Sequence, residues 1–272
     1  MPSSATAGIV PVPFSAMAVP MLSLVTLGLR GQFLPTDSSS STWLWPWLSI
    51  SGLIGFVFGD MCLFRAFMLI GPRLSSLIMA TAPLMTAIIG FFVLGEGLGV
   101  LALTGMALTI GGVAWALADR QARPPAQAGH RRLGILLALG GALGQAGGLV
   151  LSKYGMGDYD AFAATQVRVI AGGVGYALLF FVLGWWPNVR AGIRDAKALG
   201  FAALGAFFGP FLAVTLSLIA IRETVAGVAA SIMALTPVLI IPLVVVFKKE
   251  RVGLGGLAGA LVAVTGVALL FL

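Results

Sequence analysis

The chain has 272 residues, 59% hydrophobic and 9% charged, with a mean hydropathy of +1.06. A soluble domain carries about a quarter charged residues, so a water-soluble globule is excluded for want of polar surface, and a polytopic membrane protein is the class that fits. The formal charge of +7 comes from sixteen Lys and Arg set singly or in short clusters between apolar runs, which is how membrane loops are built and not how a nucleic-acid surface is.

The opening MPSSATAGIVPVPF has neither a basic n-region nor a small-residue cleavage site, so the first spanning helix is expected to serve as its own targeting signal. A spanning helix needs about 20 mostly apolar residues. Nine segments qualify: 8–29, 46–70, 74–95, 98–118, 133–153, 161–186, 196–221, 225–247 and 252–272. The runs are long and continuous, whereas barrel strands would alternate over about ten residues. Thirty-seven glycines suit closely packed helix faces. The fold class expected is therefore all-α, a membrane helix bundle. Two polar stretches interrupt it, FLPTDSSSSTW and ADRQARPPAQAGHRR, the second reading as a linker between halves. This divides the chain into 1–118, a linker 119–132, and 133–272.

The halves are related. A shift of 154 residues lays Gly52–Leu117 on Ala206–Phe271 without a gap, with about a dozen identities. Pro83 meets Pro237, IMA at 78–80 meets IMA at 232–234, Glu96 meets Glu250, Gly105 meets Gly259, and GVA at 112–114 meets GVA at 266–268. Internal repeats of this kind mark secondary transporters. Ahead of the shared trio the second half has two helices and the first half only 8–29, so either the chain has nine helices or its start is set too late and a further helix lies upstream of Met1. The loops near Arg73, Arg120 to Arg132, Arg190 to Lys197 and Lys248 to Arg251 hold most of the basic residues. The positive-inside rule then places them in the cytoplasm, with Leu272 outside.

Asp60 stands near the middle of segment 46–70, where a carboxylate costs roughly 3 kcal/mol on insertion scales. It is expected to face the bundle interior or a wet cavity. A carboxyl group there can take up and release a proton, which suits proton coupling; the alternative is a structural acid bonded across helices. Arg65, about 140° around the helix from Asp60, is read as an anchor that snorkels to the interface. Arg168, about two turns inside its helix, is placed to bind a substrate carboxylate, to neutralise Asp60, or to snorkel. Gln145, Thr165 and Gln166 are polar groups on the same pair of helices, suited to lining a cavity or linking helices. Thr81-Ala82-Pro83 and Thr236-Pro237 interrupt matched helices, and matched breaks in two halves point to a transporter site, although packing kinks look the same. Glu96 and Glu250 are read as solvated loop acids or partners of helix N-termini.

Other chemistry finds no support. The sequence has no P-loop, HExxH or GxSxG, its lone Cys62 cannot form an internal disulfide, and His130 sits in the linker. No enzyme activity, cofactor, metal or nucleic-acid partner is expected. The partners expected are a small-molecule substrate, the lipid bilayer and protons, while the oligomeric state is not legible.

The repeat, the GD at Gly59-Asp60, MATAP at 79–83 and MALTP at 233–237, and the GEG and KKER turns resemble the EamA family of the drug/metabolite transporter superfamily. The resemblance implies two inverted five-helix repeats, with the first helix of the first repeat missing here. It also implies export of amino acids or related small metabolites, and in some members of toxic compounds, across a bacterial inner membrane. The residues themselves place binding between the halves, near Asp60, Arg168 and the two proline kinks, with the halves rocking to expose the site alternately to each side. Two features depart from the family: the second turn reads Lys249-Glu250 in place of an acidic GE, and the family pattern puts both termini inside. An intramembrane enzyme, a lipid-handling protein or a scaffold are the readings from other classes. An enzyme would need several convergent polar groups at one depth; a scaffold would leave Asp60 without purpose.

Overall fold

The structure, a computed structural model, describes residues 41–118, 131–157, 159–184, 196–236, 238–239 and 254–270. These residues form helices and turns, with no strand among them. In chain order they are α1 (Ser41–Gly52), a π-helical stretch π1 (Leu53–Gly59), α2 (Asp60–Met79), α3 (Ala82–Leu94), α4 (Val100–Ala118), α5 (Arg131–Met156), α6 (Ala161–Leu183), α7 (Ala196–Ala206), π2 (Phe207–Ala213), α8 (Val214–Glu223), α9 (Ala226–Met233) and α10 (Leu254–Leu270). The expected segment 8–29, the expected linker 119–132 except its last two residues, and Glu250 lie outside the described residues. So does Pro237.

Among the described residues five helical spans are long and apolar enough to cross a membrane: Trp43–Pro72, Leu74–Leu94, Arg131–Met156, Ala161–Leu183 and Ala203–Glu223. Two shorter apolar helices, Val100–Ala116 and Gly255–Leu270, accompany them. Side chains such as Phe92, Val182 and Phe201 stand outward and exposed, as a surface in contact with lipid requires. Hydroxyls inside the bundle bond back to their own helix: Thr86 to the Ala82 carbonyl at 2.9 Å, Thr109 to Gly105 at 2.8 Å, Ser231 to Gly227 at 2.9 Å. That satisfies them where water is absent.

The shift of 154 residues that relates the two halves in sequence also relates them in backbone. π1 and π2 are equivalent under it, each seven residues long and each inside a spanning helix. The bond from Ala80 N–H to the Ser76 carbonyl recurs from Ala234 to Ala230, and that from Thr81 to Ile78 recurs from Leu235 to Ile232. The backbone thus tightens at the same place in both halves, immediately before Pro83 in the first. Pro83 itself lies in the first turn of α3, where a missing N–H costs nothing.

How the halves face each other is read from α4 and α10, which are also equivalent. A Cβ built on Gly105 would stand 2.9 Å from the Gly266 carbonyl, and one on Gly266 2.7 Å from the Gly105 carbonyl. Gly112 and Gly259 exclude each other at 2.6 and 2.8 Å. Gly105 corresponds to Gly259 and Gly112 to Gly266, so exchanging the halves maps this contact onto itself, as an isologous interface requires. The helices run antiparallel. Their two-fold axis is therefore perpendicular to them, and the second repeat is inverted relative to the first.

Candidate functional site

Glycine determines how closely the central helices approach. A Cβ on Gly144 of α5 would stand 2.6 Å from Cα of Gly59, and one on Gly148 2.9 Å from Cα of Gly55. The backbone of π1 therefore lies directly on α5, and the residues beside the two contacts, Asp60 and Gln145, come to the same depth. Gly172 and Gly175 of α6 admit Phe56, Leu53 and Val57 in the same way. A π-helical turn inside an α-helix commonly marks a functional site. Here the Phe56 carbonyl in π1 accepts a hydrogen bond from the Tyr176 hydroxyl at 2.7 Å.

These helices enclose a cavity of about 570 Å³, within the range of small-molecule sites. Its walls come from both repeats: Phe56, Asp60, Phe64 and Pro83 from the first, Gln145, Arg168, Tyr176 and Ser217 from the second. Among the described residues most of the wall is apolar, and Asp60 and Arg168 are its acid and its base. The two interact electrostatically. Arg168 is only 4% exposed. Its guanidinium lies over the Phe56 ring, 5.1 Å from the centroid, a cation–π arrangement. Its Nε has no hydrogen-bond partner among the described residues, and a buried donor left unpaired is costly.

Of the residues singled out in the sequence, the cavity brings together Asp60, Arg168, Gln145 and Pro83. Arg168 is buried and does not snorkel; Arg65 is exposed on the outer face, as an anchor would be. The described walls do not include Thr81, Thr165, Gln166 or Thr236. Thr165 is fully buried and donates to the Ala161 carbonyl at 2.7 Å. Gln166 is likewise fully buried. Thr81 donates to the Ile78 carbonyl and Thr236 to the Met233 carbonyl, each at 2.7 Å, back across the turns that follow α2 and α9. Phe56, Phe64, Tyr176 and Ser217 were not anticipated. Tyr176, one of three tyrosines in the chain and eight residues beyond Arg168 on a spanning helix, is the one that sequence could have flagged.

A polytopic helical bundle with an inverted repeat and a mixed-charge cavity between its halves has the architecture of a membrane transporter. The EamA-like transporter family model matches residues 4–118 and 132–272, and the chain belongs to that family. It is thus a multi-pass membrane protein of the drug/metabolite transporter type, and members of the family are transporters, not enzymes. Among curated proteins none matches the chain. A solved structure titled only "Crystal structure of protein" is similar in fold, with a TM-score of 0.73 and 20% identity over 98% of this chain and 89% of that one.

Proposed function

We propose that the protein exports a small zwitterionic metabolite, amino acid-like in its charged groups, across the bacterial inner membrane by alternating access. The observation that carries this reading is that Asp60 and Arg168 line one cavity formed by both repeats. A zwitterion matches that wall: its ammonium faces Asp60 and its carboxylate faces the guanidinium, whose planar fork suits a carboxylate. The apolar remainder, with Phe56, Phe64 and Leu149, takes an amphipathic side chain. The unpartnered Nε of Arg168 supports a ligand, or a second conformation, that supplies the missing acceptor. Asp60 is the proton carrier in this scheme, since it is the acid of the cavity and the chain has no P-loop.

Purified protein in liposomes loaded with a mixture of zwitterionic amino acids, under an imposed pH gradient, tests the coupling. Efflux of at least one compound should exceed that from protein-free liposomes and fall about tenfold when a protonophore collapses the gradient. Efflux that ignores the protonophore would refute proton coupling and leave export standing.

A further inference from the structure

We propose that Glu96 and Lys153 form a gate that holds one mouth of this cavity shut and must part for substrate to leave or enter there; the reading rests on the transport function above. Three elements meet at that mouth. Glu96 lies between α3 and α4 in the first repeat, Lys153 near the end of α5, and Thr224 to Ala226 at the break between α8 and α9 in the second. One carboxylate oxygen of Glu96 pairs with the Lys153 ammonium, and the other accepts the Ala226 N–H at 2.8 Å. The same ammonium donates to the Thr224 carbonyl. Glu96 therefore ties the first repeat to two separate elements of the second.

The cluster caps the cavity. From wall residues Thr86, Leu149 and Ala230, four residues along each helix lead to Gly90, Lys153 and Ala226, a distance of about 6 Å. There the helices close together. A Cβ on Gly90 would stand 3.2 Å from the Glu96 carboxylate, and one on Gly227 2.7 Å from the Ala87 Cβ. No passage for a metabolite is left between α3 and α9 at this level. The side chains of Lys153 and Glu96 are 21% and 14% exposed. That is dry enough for the charges to hold, and near enough to water for them to be resolvated when the helices part. The neighbouring Arg222 is engaged by Glu223 at 2.9 Å and does not substitute for Lys153.

The gate also breaks the symmetry of the fold. The residue equivalent to Ala226 in the first repeat is Pro72, which has no N–H to give. The opposite mouth therefore cannot build the same bond.

The test is made on full-length protein with Cys62→Ala as background and Leu149→Cys as the reporter. A membrane-impermeant maleimide is applied to each face of sealed membranes, the faces being assigned with cysteines at the exposed Glu223 and Arg131. With the gate intact, labelling from the Glu223 face should be slow. Glu96→Gln or Lys153→Gln should raise that rate at least tenfold and lower the rate from the Arg131 face, while Lys153→Arg stays close to the parent. A Glu223-face rate unchanged by both glutamine variants would overturn the gate. A rise at both faces would overturn it as well, since that marks a loosened bundle. A rise at the Glu223 face with the Arg131-face rate unchanged would keep the gate and refute alternating access.

Discussion

Replacing Gly112 by valine is expected to destroy the fold, while replacing its neighbour Gly111 by alanine should leave it intact or slightly steadier. The two glycines are adjacent on α4 and differ only in what they face. A side chain on Gly112 meets the α10 backbone, with the Gly259 carbonyl 2.6 Å from its Cβ; around Gly111 nothing lies within 4 Å. Overpacking against side chains costs about 1–3 kcal/mol. Here the obstacle is backbone, which cannot rotate away, and α4 and α10 would have to separate. Alanine at Gly111 gains up to about 1 kcal/mol of helix propensity. Thermal melting and size-exclusion profiles in detergent would decide it. Equal behaviour of the two variants would contradict the inverted contact through which the halves are joined.

Arg168→Gln should leave a folded protein that has lost at least 30-fold of its transport rate at low substrate concentration. Removing one member of a buried charge pair costs about 2–5 kcal/mol; on substrate binding that is a factor of 30 or more. Part of the cost falls on the empty protein, because Asp60 loses the cation that shares its cavity. Arg168→Lys tests the geometry: the ammonium keeps the charge but gives up the planar fork and the stacking on Phe56, so an intermediate loss is expected. Uptake kinetics in liposomes measure both. Wild-type transport by Arg168→Gln would remove the guanidinium from the substrate site.

The helical segments, the internal repeat and the mid-membrane acid could be read from sequence because each rests on a one-dimensional signal. A lipid-facing helix must be continuously apolar, Gly105 and Gly259 recur at a fixed spacing, and a lone carboxyl in such a run is conspicuous. What could not be read depends on which faces meet. Arg168 has three readings as a residue at a given helix depth; only the packing of Gly52, Gly55 and Gly172 around it makes it a buried wall residue. Thr165 and Gln166 sit on the same helix as Arg168 but away from the described cavity wall, about 60° and 160° around from it, and a hydropathy pattern does not say which of these directions faces a cavity. Glu96 was legible as a helix partner, but its helix lies 130 residues away, beyond any local motif. The π-helical turns had no anticipated signal in the sequence.

The most direct test compares extracellular metabolites from cells carrying the wild type, Asp60→Asn or no transporter, at matched membrane levels. A compound bearing both an amine and a carboxylate is expected to accumulate outside only with the wild type. Equal accumulation with Asp60→Asn would contradict the role given to Asp60, and no compound enriched over empty cells would contradict export itself.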